Sequence, residues 1–205
     1  MGKMIHYETP DGGGCPGYCA EPAAGDRAPG LVVLQEWWGL NENIRGVADR
    51  LAANGYRALV PDLYRGKVTL EAAEAAHLMG GLDFVKAVTH DVRGAVQYLR
   101  GSSRKVGVIG FCMGGALSIV AAMHLPDVDA VSCWYGIPPP EAGDPGAIRM
   151  PLQGHFALLD THFLPAMVDA LEARLKEGGV VYDFYRYPAG HGFAREGSAS
   201  YHAES

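Results

Sequence analysis

Cys112 is the side chain with the clearest chemical setting. It sits at the centre of Gly110-Phe111-Cys112-Met113-Gly114, a G-x-C-x-G pattern between an apolar run (residues 106–109) and a helix-forming stretch (116–123). A strand that turns sharply into a helix through this pattern is a nucleophile elbow, here carrying a thiol. The nucleophile adopts a strained positive-φ backbone. Glycines two residues to either side let strand and helix pass closely. A cysteine held this way lies at a helix N-terminus, where the partial positive charge favours a thiolate. The same five residues also fit a structural cysteine in a tight turn.

A thiol nucleophile needs a base, and the base needs an orienting acceptor. The chain order that goes with this elbow is nucleophile, acid, histidine. Cys112, Asp160 and His191 follow that order. His191 lies between glycines in Pro188-Ala189-Gly190-His191-Gly192, so its ring is free to reach over a cleft. Asp160 precedes a helix, and capping that helix is its alternative role. His77, His90 and His124 fall in helical patterns, while His155 at a strand end and His162 at a helix start are placed to flank a site. Acyl transfer also needs donors for an oxyanion. The backbone N–H of Met113 is one, and that of Trp37 is well placed as the second. Glu36 ends a buried apolar run, so it is either a salt-bridged structural residue or a partner that modulates the thiol.

The elements that must position these residues alternate. Residues 4–8 and 17–21 read as a β-hairpin around Pro10-Asp11-Gly12-Gly13-Gly14. Residues 31–35, apolar without a break through Leu34 and closed by Gln35, carry the mark of a central parallel strand. A helix follows from Asn41, with Ile44, Val47, Ala48 and Leu51 as its apolar stripe. Strands are expected at 56–60, 130–135, 150–155 and 180–187. Helices are expected at 69–80, at 84–100 with Phe84, Val88 and Val92 on the buried face, and after Asp160 with Phe163, Met167, Leu171 and Leu175 on one face. The pattern is α/β: a doubly wound, mostly parallel sheet with an N-terminal hairpin, in one domain spanning residues 1–205. In such sheets working residues lie at the carboxyl ends of strands, where Glu36, Cys112, Asp160 and His191 all fall.

Composition narrows the partners. The chain has 205 residues, 48% hydrophobic and 20% charged, with a formal net charge of −6. Nothing in that balance favours nucleic acid or an anionic membrane surface, and no apolar run reaches the length of a membrane span. The N-terminus lacks a signal-peptide core, and the four cysteines at 15, 19, 112 and 133 lack metal-ligand spacing, which together point to a reducing cytoplasm. The chain is expected to be a monomer or weak homo-oligomer.

From about Val32 onward the chain resembles the dienelactone hydrolase (carboxymethylenebutenolidase-like) family of the α/β-hydrolase fold. The resemblance rests on Gln35-Glu36-Trp37-Trp38-Gly39-Leu40-Asn41, Pro61-Asp62-Leu63-Tyr64, Gly110 to Gly115, His155 to Asp160 with Pro165, and Tyr187 to Arg195. It implies a triad of Cys112, His191 and Asp160, and a Glu36 that pairs with Cys112 until substrate displaces it. It implies hydrolysis of an unsaturated lactone to maleylacetate through a thioester, with a small-molecule lactone or ester as the partner and no metal or organic cofactor. Arg195 matches a position that helps bind the substrate carboxylate, and Trp38 is placed with it in substrate binding. Two departures stand out. The stretch near residues 70–80 lacks the family's further arginine and tyrosine, leaving His77 as a cationic replacement. The sequence to Ser205 also shows no C-terminal helix to cover the sheet: either that segment is truncated or disordered, or apolar surface is left exposed or covered by a partner. Other readings are a broad cysteine-dependent carboxylesterase and a catalytically silent binding module on the same fold. A glutamine amidotransferase using His202 and Glu204 ignores His191 and puts its histidine where no strand precedes it.

Overall fold

The computed structural model describes residues 1–23 and 27–204. Strands β1 (Lys3–Glu8) and β2 (Gly14–Ala20) form the expected hairpin, with the second strand starting earlier than its apolar residues suggest. β2 also pairs antiparallel with β4 (Arg57–Pro61), which fastens the hairpin to the sheet. The remaining strands are parallel: β3 (Gly30–Leu34), β5 (Val106–Phe111), β6 (Ala130–Trp134), β7 (Leu152–Ala157) and β8 (Tyr182–Tyr187). Together the eight strands run in the order β1-β2-β4-β3-β5-β6-β7-β8. After β4 the chain crosses back over β3 to lay down β5. The carboxyl ends of β3 and β5 therefore flank the point where the winding reverses, and a crevice opens there.

β3 shows why this sheet is buried on both sides. Val32 and Leu34 face one apolar cluster, and Val33 faces the other. The first cluster is covered by α4 (Arg93–Arg100), α5 (Met113–His124) and α6 (Pro165–Glu177), and the second by α1 (Glu42–Ala53). Asn41 caps α1 by accepting a hydrogen bond from the Ile44 N–H at 3.2 Å, as its type predicts. α2 (Ala72–Gly80) begins three residues later than the sequence suggests. The helix expected from Phe84 to Arg100 is interrupted. α3 (Phe84–Ala87) passes into a π turn (Val88–Val92) before α4, and the buried Asp91 in that turn accepts a hydrogen bond from Arg65 at 2.7 Å.

From Pro188 to Glu204 the described chain runs in turns, with no helix. The sheet face over β7 and β8 exposes Gln153, Asp183 and Tyr185. Beside these, Val181 just before β8 and Leu158 and Leu159 after β7 are exposed apolar side chains, in keeping with the expectation of apolar surface left uncovered, while His155 is buried in a stack between Trp134 and Tyr185.

The crossing of β5 and α5 tolerates no side chain at the flanking glycines. A Cβ on Gly110 would lie 1.9 Å from the Gly114 carbonyl oxygen, and one on Gly114 would lie 2.3 Å from the Leu34 oxygen. Both obstacles are backbone, so relief requires the elbow itself to shift. Gly110→Ala is expected to cost about 3 kcal/mol or more of unfolding free energy in urea titrations. Gly80→Ala, at a position where a Cβ meets nothing within 4 Å, is expected to change stability by less than about 1 kcal/mol. A Gly110→Ala variant as stable as the wild type would contradict this account of the elbow.

Candidate active site

The four residues expected at strand ends lie just beyond the carboxyl ends of parallel strands. Cys112 follows β5, Glu36 follows β3, Asp160 follows β7 and His191 follows β8. Cys112 has φ 54 and ψ −116, the only residue between strand and helix, and its conformation is strained for a side chain with a Cβ. Its own N–H donates to the Trp134 carbonyl at 3.0 Å, and its carbonyl accepts from the Ala116 N–H at 3.1 Å. The thiol is thus pinned to both β6 and α5.

The structure brings Cys112, His191 and Asp160 together. The Asp160 carboxylate is buried. One oxygen accepts hydrogen bonds from the His162 and Phe163 N–H groups at 2.8 and 3.0 Å, and the other meets His191 Nδ1 at 2.8 Å. Of the two roles weighed for Asp160, only the histidine partner is filled: α6 starts at Pro165 with Leu164 at its N-cap and no side-chain cap, and the two amides that Asp160 accepts from belong to the turn before it. Since the carboxylate only accepts, Nδ1 carries the proton, and Nε2 is left facing Cys112 Sγ at 3.2 Å. The ring is boxed by Tyr135 (5.2 Å), His162 (4.9 Å) and Phe163 (5.8 Å). Burial alone would lower the His191 pKa, but the hydrogen bonds with Asp160 and Cys112 outweigh it and hold it up at about 10. Burial would likewise raise Asp160, but the His191 hydrogen bond and the two amides keep it below the ordinary carboxylate range.

Glu36 is buried beside this relay, and burial pushes its carboxyl up against the opposing pull of Arg195 and His191. Its partner differs from the expected one. The thiol is bonded to His191, and Glu36 instead faces Arg195 Nε at 3.7 Å. The Arg195 guanidinium in turn lies 5.2 Å over the Trp38 ring. The Trp37–Trp38 loop is held from behind. Gly39 at φ 90 packs onto the Lys67 carbonyl, and the Trp38 carbonyl accepts from the Thr69 N–H at 3.1 Å. Trp37 and Met113, the two expected oxyanion donors, both line the same cleft as Cys112. The Met113 N–H belongs to the first turn of α5, where amides lack an intrahelical acceptor.

The cleft measures about 600 Å³. Its lining includes residues that sequence reading assigned to packing. Phe84 and Met167 read as members of buried helical stripes, yet both face the cleft; α6 buries Leu171 and Leu175 as expected, with Val168 in place of Met167. Helical periodicity cannot tell a face against the core from one against a cavity. Met79 and Ile137 join them. His162 flanks the site as its position allowed, whereas His155 does not. The His155 Nδ1 bonds the Tyr187 hydroxyl at 2.7 Å, and burial lowers the ring to about 4. His77 is exposed and outside the cleft lining, so the expected cationic replacement is not where a substrate would meet it.

The two shifted groups set a pH window. The raised His191 value contributes stability that is full below 6.5 and is lost as pH rises through about 10. The lowered Asp160 value contributes stability that is present above 3.8 and is lost as pH falls through its folded value. The stability lost on His191→Ala, measured by urea unfolding, is expected to be greatest between pH 3.8 and 6.5 and to shrink towards pH 10. A difference that stays flat from pH 6.5 to 10 would contradict the pairing.

Known proteins resemble this chain in sequence and fold. The dienelactone hydrolase family model matches residues 15–205. "Protein usf" of Aquifex pyrophilus is 37% identical over 165 residues, covering 74% of this chain and 69% of that protein. A Synechocystis protein named "Putative carboxymethylenebutenolidase" is 32% identical over 211 residues, covering 92% of this chain and 85% of the relative. Among solved structures, the "Putative Dienelactone Hydrolase" of Klebsiella pneumoniae superposes with a TM-score of 0.88 at 25% identity, covering 100% of this chain and 93% of that one. A match along nearly the whole chain, on an eight-stranded sheet with the thiol at its elbow, places this protein in the dienelactone hydrolase family of α/β-hydrolase-fold carboxylic ester hydrolases.

Proposed function

We propose that this chain hydrolyses a small lactone or ester through a thioester on Cys112, with an unsaturated lactone of the dienelactone type as the substrate class its family suggests. The observation that carries the reading is the continuous relay from sulfur to Nε2 at 3.2 Å and from Nδ1 to a buried carboxylate at 2.8 Å. The thiolate attacks the carbonyl carbon, a C–S bond forms, and the oxygen gains negative charge. The Met113 and Trp37 N–H groups are the donors proposed for that charge. Collapse breaks the C–O bond as His191 Nε2–H protonates the leaving oxygen, which opens the ring of a lactone or frees an alcohol. A water then gives its proton to Nε2 and attacks the thioester. The C–S bond breaks, the acid departs, and sulfur leaves as thiolate beside the imidazolium. No step requires a metal or organic cofactor.

Glu36 and Arg195 are proposed to act together. A substrate carboxylate at Arg195 competes with Glu36 for the guanidinium, which Trp38 supports from its ring face. The second reading is a broader carboxylesterase. Met79 and Phe84 favour it, because they present apolar surface where the family resemblance led to a cation.

Cys112→Ala is expected to lower kcat/KM for p-nitrophenyl acetate by at least about a thousandfold, and iodoacetamide is expected to abolish the wild-type rate. Undiminished hydrolysis by Cys112→Ala would remove the nucleophile. A wild-type protein inert towards both p-nitrophenyl acetate and dienelactone would support the silent binding module.

A further inference from the structure

The cleft is far from uniform in character. Its charged groups, Glu36, Arg195 and His191, interact with one another beside the thiol. Its lining from α2, α3, the loop after β6 and the first turn of α6 is Met79, Phe84, Ile137 and Met167 with a run of prolines. The charged residues of the α2–α3 stretch, Glu71, Glu74, His77, Asp83 and Lys86, are all exposed and absent from the lining. Of the basic groups that do line it, Arg195 already faces Glu36 and lies over Trp38, His191 pairs with Asp160 and Cys112, and His162 sits edge-on against His191.

From this distribution we infer that the cleft takes an ester or lactone bearing one bulky, neutral apolar group, aryl or medium alkyl, seated on Met79, Phe84, Ile137 and Met167. The proposal rests on the reading of this cleft as the substrate site of Cys112. Size supports it, because about 600 Å³ lies within the range of pockets that enclose drug-sized ligands and exceeds what a small lactone ring fills. Solvation supports it too. An aryl group on this wall removes apolar area from water on both partners. A second anionic group there would lose its water with no cation to receive it. Phe84 adds a ring face for edge or offset packing. Met79 and Met167 are unbranched and adapt to differently shaped groups. These four residues thus determine specificity without touching the bond that breaks.

Equilibrium binding tests this without turnover. The probes are 4-phenylbutyrate, which offers one carboxylate and one aryl group, and maleate, which offers two carboxylates. In isothermal titration calorimetry with the wild-type chain, 4-phenylbutyrate is expected to bind at least about tenfold more tightly than maleate. Phe84→Ala is expected to weaken 4-phenylbutyrate at least about fivefold and leave maleate unchanged. Met79→Lys, on a half-buried side chain that can carry a charge to the cleft, is expected to narrow or reverse the preference. Maleate binding as tightly as 4-phenylbutyrate, neither ligand binding, or an unchanged ratio in both variants would overturn the proposal. Thioester chemistry fails separately, through activity retained in Cys112→Ala, and that outcome would leave the binding preference standing.

Discussion

The close crossing of β5 and α5 is the constraint on which the rest of this molecule depends. Two backbone segments approach so nearly at Gly110 and Gly114 that a single methyl group would collide with a carbonyl oxygen. The approach forces Cys112 into a positive φ, and the same geometry aims its sulfur out over the carboxyl edge of the sheet. Strain at one residue costs of the order of 1–3 kcal/mol. It is tolerated because Cys112 is tied to Trp134 and Ala116 by its own backbone groups and because β3, β5 and β6 are packed on both faces. The crossing back from β4 over β3 then opens the crevice beside that sulfur, so that loops from four strands can meet there.

Electrostatics in the crevice follow from burial. A buried carboxylate is costly unless hydrogen-bonded, and Asp160 meets that condition with two amides and an imidazole. Glu36 meets it less well. It has a single long contact with Arg195, and burial raises its pKa. One acid is thereby locked in its charged form, while the other is held loosely enough to exchange partners. That asymmetry suits Asp160 to orient His191 and suits Glu36 to respond to an anionic group at Arg195.

Much of this was legible in the sequence because strong backbone constraints write themselves in residue type. Glycines around Cys112, the Asn41 cap and the unbroken run in β3 each have one dominant physical explanation. Asp160 and His191 were identifiable by chain order and by their place after strands. Sequence reading missed what depends on which side of an element faces space. Phe84 and Met167 have helical spacing whether they meet core or cavity, and the π turn at Val88–Val92 shifts that spacing further. Ion-pair choice was equally hidden. Glu36 sits within reach of several groups, and only the fold of the segment after β8 brings Arg195 to it. His77 failed as a replacement cation because α2 turns it to solvent.

The central claim is that sulfur of Cys112 carries the acyl group during turnover. The most direct measurement is acid quenching of the chain during steady hydrolysis of p-nitrophenyl acetate, followed by proteolysis and mass spectrometry. This account predicts one acetyl group on the peptide that contains Cys112, removable by hydroxylamine as a thioester is. An acetyl group on another residue, or turnover at full rate with Cys112 never modified, would contradict it.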